Sequence, residues 1–301
     1  MPLAGVPEIL VQQLDDPVCR ERNTSWLLAR FDQADPVVSG NKKFKLHYFL
    51  EEALASGKKR IVTFGGAYSN HLVATAKACR DLGLRSVGIV RGKGFAHESH
   101  TLVSCRSYGM ELHFVTREDY AAMSSHPEII IPLFDADQDV LVPEGGFHPL
   151  GAAGAAHMLD SIPFHNATHI VCATGTGTTV AGLLRAAKPA QQVISVPVLK
   201  SLYDLPERLA TVNPGIEKLP VVFNQYHFGG YAKYHVPLLQ FMNTLYKNTG
   251  IPTDFVYTAK MMYAIKDQVI QGYFPEGSVI MALHTGGLQG NLSLPPGTLI
   301  F

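Results

Sequence analysis

The 301-residue sequence lacks an excess of charge of either sign, since 25 Lys and Arg residues balance 25 Asp and Glu residues. This balance argues against a nucleic acid or an anionic membrane as the main partner. No hydrophobic run reaches the length of a transmembrane helix. The first ten residues also lack the basic segment and apolar core of a secretory signal. We therefore expect a cytoplasmic protein with neither a membrane nor a nucleic acid as partner.

Metal-binding patterns are missing as well. The 13 histidines form no H-E-x-x-H or comparable pattern. The four cysteines are far apart and have no ligand spacing. They are Cys19, Cys79, Cys105 and Cys172. We predict reduced thiols that act as small buried hydrophobic residues, and no metal site.

Short apolar segments alternate with helical segments along most of the chain. Strands are predicted at residues 25–30, 60–64, 85–90, 111–115, 141–144, 169–173, 192–199 and 279–284. A short helix is predicted at residues 8–14, and residues 221–231 read as a loop. Strands that alternate with helices predict a parallel α/β architecture. In such open sheets, ligands bind beyond the carboxyl ends of the strands.

A lysine begins one of the predicted helices. The run Ser39-Gly40-Asn41-Lys42-Lys43-Phe44-Lys45-Leu46 leads from a turn into an apolar periodicity. Lys42 therefore lies at a helix N-terminus, where the helix dipole disfavours a cation. One interpretation is a solvated lysine cluster. The other is a reactive lysine with a lowered pKa that forms a Schiff base.

Three predicted strands end in polar, glycine-rich loops. The loop at residues 174–179, Thr-Gly-Thr-Gly-Thr-Thr, has the free N–H groups and hydroxyls of a phosphate cradle, although it could be an ordinary tight turn. It matches neither a Walker A motif nor G-x-G-x-x-G, and no acidic residue ends the next strand, so a dinucleotide is disfavoured. The loops at residues 65–71 and 284–288 suit contact with a small polar ring. Together with a reactive lysine they indicate pyridoxal phosphate.

Five motifs then occur in order along residues 27–288, nearly the whole chain. They are Gly40-Asn41-Lys42-x-x-Lys45-Leu46, Gly65-Gly66-x-x-Ser69-Asn70, Thr176-Gly177-Thr178-Thr179-x-Ala181-Gly182, Val256-Tyr257-Thr258-x-Lys260 and His284-Thr285-Gly286-Gly287. In combination they resemble the 1-aminocyclopropane-1-carboxylate deaminase/D-cysteine desulfhydrase family of pyridoxal-phosphate enzymes. The resemblance implies fold type II, with two open parallel-sheet α/β domains and the cofactor between them. It implies a large domain of residues 1–45 and 149–301, a small domain of residues 46–148, and a homodimer.

The resemblance also implies roles for individual residues. Lys42 matches the Schiff-base lysine, and Tyr257 and Tyr231 match tyrosines that face the substrate. Ser69 matches a catalytic serine near the substrate carboxylate, with Asn70 and His71 as further substrate contacts. The expected cofactor-binding residues are Lys42, Asn70, Thr176, Gly177, Thr178, Thr179, Thr258 and Thr285.

Two positions bear on the substrate. Deaminase-type members have Glu where this chain has Thr258, and Leu where it has Thr285. A carboxylate next to the pyridine nitrogen would keep it protonated, whereas a hydroxyl does not. The two threonines therefore favour α,β-elimination from D-cysteine or a related small amino acid, with Lys42 or Ser69 removing the Cα proton. The alternatives are cyclopropane deamination, non-catalytic binding of pyridoxal phosphate or an amino acid, and a nucleotide-dependent oxidoreductase. Tyr68, Arg30-Phe31-Asp32 and the segment after Arg91 depart from the family pattern.

Overall fold

Two separate sheets organise the chain. The computed structural model of the protein describes residues 8–92, 98–125, 134–163 and 166–301. Within this part, a six-stranded sheet has the order β1-β2-β10-β7-β8-β9 and a four-stranded sheet the order β5-β4-β3-β6. The strands are β1 Val11–Leu14, β2 Ser25–Ala29, β3 Arg60–Gly66, β4 Arg85–Arg91, β5 Met110–Val115, β6 Asp139–Val142, β7 His169–Thr174, β8 Gln192–Pro197, β9 Val221–Val222 and β10 Val279–Leu283.

Helices connect the strands and cover both sheets. They are α1 Pro17–Glu21, α2 Asn41–Ala55, α3 Asn70–Asp81, α4 His100–Ser107, α5 Arg117–Ser125, α6 Pro149–Asp160, α7 Thr178–Ala186, α8 Leu205–Val212, α9 Val236–Thr249 and α10 Thr258–Ile270. None of the described helices has the length and apolar character needed to cross a lipid bilayer.

The expected parallel α/β architecture is confirmed, with one exception at an edge. All described strand pairs are parallel except β1 with β2, which pair antiparallel. The helix predicted at residues 8–14 is therefore wrong, because Val11–Leu14 hydrogen-bonds to Ser25–Ala29 as a strand. A segment of four residues has little conformational preference of its own, and the neighbouring strand decides its state.

The larger sheet is buried on both faces. Alternate residues of β7, such as Ile170 and Val171, belong to different apolar clusters on its two sides. The short, continuously apolar strands of the sequence are typical of this arrangement. All four cysteines are free and buried, as predicted. The larger sheet takes its strands from residues 11–29 and 169–283, and the smaller sheet takes its strands from residues 60–142. The exact domain boundaries stay a prediction.

Helix α6 packs tightly between α2 and α7 through residues without large side chains. A Cβ on Gly154 would lie 2.1 Å from the carbonyl oxygen of Phe44 in α2. A Cβ on Gly182 in α7 would lie 2.6 Å from the Cβ of Ala155. Since α2 carries Lys42 and α7 follows the loop at residues 174–177, this packing sets the distance between the lysine and that loop.

Replacing Gly154 with Ala tests this packing. The change raises intrinsic helix propensity by about 1 kcal/mol, so any loss of stability must come from the contact with Phe44. We expect Gly154→Ala to lower the free energy of unfolding by about 2 kcal/mol, the typical cost of overpacking. Ala153→Ser, at a half-buried position of the same helix, is the control. Chemical denaturation followed by circular dichroism measures both, and equal stability of the two variants would contradict the interpretation.

Candidate active site

Lys42 lies where two distant turns meet. Gly40 precedes α2 with a φ of 65°, and a Cβ there would lie 1.8 Å from the carbonyl oxygen of Thr285. Only glycine permits both this backbone conformation and this close approach. The lysine is thereby held next to the loop that follows β10, at the carboxyl ends of the strands of the larger sheet.

The Lys42 ammonium is half-buried and has a polar partner. Its Nζ donates a hydrogen bond of 2.7 Å to Oδ1 of Asn41. Desolvation lowers the pKa of Lys42 to about 8, although the charge of Asp254 opposes the shift. A lysine with this pKa has a substantial neutral, nucleophilic fraction near pH 7. The structure therefore favours the reactive lysine over the solvated cluster.

The loop at residues 174–177 leads directly into the N-terminus of α7. Gly177 adopts a φ of 94°, and no side chain among the described residues caps this helix end. Its first N–H groups are therefore available to an anion. Thr178 and Thr179 are buried there, and the Thr176 and Thr178 hydroxyls lie 2.9 Å apart. Nδ2 of Asn41 donates to Oγ1 of Thr179 at 2.8 Å, which links the lysine to this loop.

Ser69, Asn70 and His71 begin α3 at the end of β3. Ser69 is the N-cap of the helix, since its Oγ accepts a hydrogen bond from the N–H of Leu72. Oδ1 of Asn70 is buried and has no hydrogen-bond partner among the described residues, which leaves this amide available to a ligand. Nδ2 of the same amide lies 3.0 Å from the position of a Cβ on Gly287. Asn70 therefore faces the loop that follows β10.

His71 is buried, and its side chain contacts Thr63 of β3. The expected role of His71 is a contact with the substrate. Its Nε2 lies 3.0 Å from the hydroxyl of Thr63, and that hydroxyl donates to the carbonyl of Val142. Nε2 must therefore carry a proton that it donates to Thr63. Burial, followed by the charges of Lys45 and Lys42, lowers the pKa of His71 well below its ordinary value. His71 is a neutral side chain tied to the small sheet, and its contact with the substrate stays a prediction.

The two predicted tyrosines lie together. The rings of Tyr231 and Tyr257 make an edge-to-face pair with centroids 6.1 Å apart. The Tyr257 ring lies 3.4 Å from the position of a Cβ on Gly175, so it also borders the loop at residues 174–177. Burial raises the pKa of Tyr257 well above its ordinary value. Its hydroxyl consequently keeps its proton at neutral pH and can serve as a hydrogen-bond donor.

Asp254 is a buried carboxylate that the sequence reasoning missed. Its two oxygens accept hydrogen bonds from the N–H groups of Val256, Tyr257 and Thr258 and from the Thr258 hydroxyl, the last at 2.7 Å. The Thr258 hydroxyl accepts in turn from the N–H of Asp254 at 2.8 Å. Desolvation raises the pKa of Asp254, and these hydrogen bonds oppose the shift. Asp254 lies four residues before Thr258, the first residue of α10, and the N-cap position belongs to Tyr257, so the sequence carries no N-cap signal at Asp254.

The segment Arg30-Phe31-Asp32, which departs from the family pattern, contains a buried ion pair. Arg30 donates two hydrogen bonds to the Asp32 carboxylate, at 2.9 and 2.8 Å. Asp32 also lies 3.4 Å from Nδ1 of His284, and Nε2 of His284 contacts the carbonyl of Pro252 at 2.7 Å. These contacts hold the end of β10, from which Thr285 and the glycines continue. The segment after Arg91 lies partly outside the described residues, at residues 93–97.

Comparison with known proteins agrees with this geometry. The family described as "Pyridoxal-phosphate dependent enzyme" matches residues 16–286. The chain belongs to this family. Its cofactor is therefore pyridoxal 5′-phosphate, and the expected α/β fold with two parallel-sheet domains is confirmed.

Individual relatives refine the position within the family. A Pyrococcus horikoshii protein named "Putative 1-aminocyclopropane-1-carboxylate deaminase" is 27% identical over 289 residues, which cover 91% of this chain and 87% of the relative. An Arabidopsis thaliana protein named "Bifunctional D-cysteine desulfhydrase/1-aminocyclopropane-1-carboxylate deaminase, mitochondrial" is 30% identical over 302 residues, covering 89% and 73%. The crystal structure of a protein described as an ACC deaminase homologue superposes on this chain with a TM-score of 0.82 at 26% identity. The match covers 96% of this chain and 93% of the homologue. The family resemblance inferred from the motifs is confirmed.

The residues present fit pyridoxal phosphate. The uncapped N-terminus of α7 and the hydroxyls of Thr178 and Thr179 suit the phosphate, and the unpartnered Asn70 amide suits a polar substituent of the ring. Lys42 offers an amine that would join the cofactor aldehyde. When bound, the cofactor supplies an electron sink for charge that develops at the substrate Cα.

The lowered pKa of Lys42 leads to a testable prediction about the rate of cofactor binding. At pH 7 about one tenth of an amine with a pKa of about 8 is neutral, far more than for an ordinary lysine. We expect the rate at which cofactor-free protein takes up pyridoxal phosphate to rise with pH and to level off above about pH 8. Absorbance of the bound cofactor measures this rate. Borohydride should attach the cofactor to Lys42, and Lys42→Ala should abolish attachment while Lys43→Ala does not. A plateau reached only above pH 10 would contradict the shift.

A second prediction concerns the expected phosphate contacts of Thr178 and Thr179. Replacing Thr178 and Thr179 with Ala should weaken cofactor affinity by roughly 1.5–3 kcal/mol for each lost hydrogen bond to a charged group. Loss of Thr179 also removes the partner of Asn41. Equilibrium titration of the cofactor measures the effect, with Thr211→Ala on the exposed side of α8 as the control. Unchanged affinity in the double variant would favour an ordinary tight turn.

Proposed function

We propose that the protein catalyses pyridoxal-phosphate-dependent α,β-elimination from a small amino acid, with D-cysteine or a close analogue as substrate. The products are pyruvate, ammonia and the released thiol or sulfide. The observation that carries this proposal is the buried, neutral hydroxyl of Thr258 at the position where deaminase-type members have a glutamate. That hydroxyl is held by Asp254 through two hydrogen bonds.

A neutral group at this position weakens the electron sink. A carboxylate that contacts the pyridine nitrogen directly would stabilise its proton, whereas the charge of Asp254 acts only through the Thr258 hydroxyl. Expelling a thiolate from the β-carbon demands less electron withdrawal than opening a cyclopropane. Thr258 therefore supports elimination over ring opening.

The other side chains have compatible roles. Lys42 is the better candidate for the base at Cα, since partial burial lowers its pKa to about 8. Ser69 contacts the N–H of Leu72, and its hydroxyl suits binding of the substrate carboxylate. The protonated hydroxyl of Tyr257 can donate a proton or a hydrogen bond to the leaving group. Tyr231 contacts Tyr257 and would face the substrate from the same side as Tyr257.

A second candidate function is deamination of 1-aminocyclopropane-1-carboxylate. It is favoured by relatives whose names carry that activity, including one named for both activities. Homodimer formation, a cytoplasmic location and the domain division at residues 45/46 and 148/149 are further proposals, which rest on the family resemblance and the sequence.

The choice between the two activities is testable with a pair of variants that match in size and differ in charge. We expect the wild type to release pyruvate from D-cysteine or β-chloro-D-alanine and to be at least tenfold slower with 1-aminocyclopropane-1-carboxylate. Thr258→Glu with Thr285→Leu should shift activity towards ring opening. Thr258→Gln with Thr285→Leu is the control, because it has the size of the first variant without its charge.

Keto-acid release is measured for all three proteins at equal cofactor occupancy. Circular dichroism must accompany it, since Thr258→Glu places a second carboxylate beside Asp254 and costs stability. A wild type that is equally active on both substrates would show that Thr258 and Thr285 do not decide specificity. A shift of equal size in the Gln control would show that charge is not the cause.

A further inference from the structure

Lys260 is a lysine inside the protein that no step of the proposed reaction uses. It lies on α10, three residues after Tyr257, and its side chain is 0% exposed. Its Nζ donates hydrogen bonds to the carbonyl oxygens of His227 at 2.9 Å and Gly230 at 2.8 Å. A buried amine is costly unless its donors are satisfied, so this arrangement requires a structural or functional reason.

The two carbonyls belong to a turn with an unusual backbone. Phe228, Gly229, Gly230 and Ala232 all have positive φ values, 51°, 92°, 117° and 53°. Phe228 and Ala232 are not glycine, so this conformation is locally unfavourable and needs support from outside the turn. The turn also has backbone hydrogen bonds of its own, from Gly230 to His227 and from Lys233 to Gly230. Lys260 adds a second donor to each of the same carbonyls.

Tyr231 directly follows this turn. The residue is 44% exposed and its side chain interacts with that of Tyr257, so the path of its backbone and this one contact together decide where the ring lies. The ring meets Tyr257, which is the N-cap residue of the helix that carries Lys260. One helix start therefore presents Tyr257 and Thr258 and also fixes the turn that delivers Tyr231.

We propose that Lys260 is a positioning residue that holds the turn at residues 227–230 and thereby places Tyr231 against Tyr257 over the active site. The negative charge of Asp254 stabilises the Lys260 ammonium, although burial lowers the pKa of Lys260 to about 8. The inference deepens the proposed function and rests on it for the role of Tyr231. The hold on the turn itself does not depend on the cofactor.

Hydrogen exchange on the cofactor-free protein tests whether Lys260 holds the turn. Lys260→Met and Lys260→Gln have side chains of nearly equal length, but only Gln has N–H donors. We expect Lys260→Met to speed amide exchange of residues 228–233 at least tenfold while β7 and β8 stay protected, and Lys260→Gln to remain within about threefold of the wild type. Lys266→Met, a partly exposed lysine of the same helix paired with Asp16, is the control and should change nothing in this segment.

Three results would contradict the proposal that Lys260 holds the turn at residues 227–230. These are unchanged exchange in Lys260→Met, equal loosening by Met and Gln, and faster exchange spread evenly over β7 and β8, which would indicate a loss of global stability alone. If Lys260→Met does not fold, the comparison of Lys260→Gln with the wild type decides, and tenfold loosening with Gln would overturn the role of the donors.

A double-mutant cycle on the cofactor-loaded enzyme tests the link to Tyr231. We expect Lys260→Met to lower kcat for keto-acid release about tenfold in the wild type and less than threefold in a Tyr231→Phe background. An equal loss in both backgrounds would show that Lys260 does not act through Tyr231. A protein that never binds pyridoxal phosphate would contradict the proposed function, whereas the exchange experiment would still decide the hold on the turn.

Discussion

The contact between Gly40 and the carbonyl of Thr285 is the constraint on which the site depends. No side chain fits between them, since a Cβ would lie 1.8 Å from the carbonyl oxygen. The glycine after Thr285, Gly286, also packs closely on Ser39, since a Cβ there would lie 2.6 Å from the Ser39 Oγ. Two turns about 245 residues apart thus form one junction. The junction places Lys42 at the carboxyl ends of the strands, where ligands of α/β sheets bind.

Two lysines and two helix N-termini lie around this junction. Lys42 lies at a helix N-terminus, and Lys45 on the next turn is buried, with a pKa held well below its ordinary value by desolvation and by Lys42. The uncapped N-terminus of α7 adds its partial charge nearby. Asp254 is the buried carboxylate that opposes these charges. A site with these properties attracts an anionic cofactor, and its lysine loses a proton more readily than a lysine in water.

Local patterns predicted the strands and helices that surround the site because those elements are periodic or continuously apolar. The turn into α2 and the carboxyl ends of β3, β7 and β10 were found in this way to within two residues. The strand predicted at residues 141–144 instead lies at Asp139–Val142, and the predicted loop at residues 221–231 contains β9. The segment at residues 8–14 was misread because pairing with Ser25–Ala29 decides its state. Asp254 and Lys260 were missed as functional candidates, since one aspartate a few residues before a helix and one more helical lysine are ordinary in sequence.

The sequence alone was sufficient to predict the cofactor class, most of the alternation of strands and helices along the chain, and the residue types available for catalysis. It could do so because these depend on short motifs and local periodicity. The folded structure was needed to show that Asn41 links Lys42 to Thr179, that the Thr258 hydroxyl binds Asp254, and that Lys260 donates a hydrogen bond to the turn before Tyr231. Contacts such as Asn41 with Thr179 and Lys260 with Gly230 join residues 30 or more positions apart. The pKa of Lys42 likewise follows from desolvation, which exists only once the chain has packed.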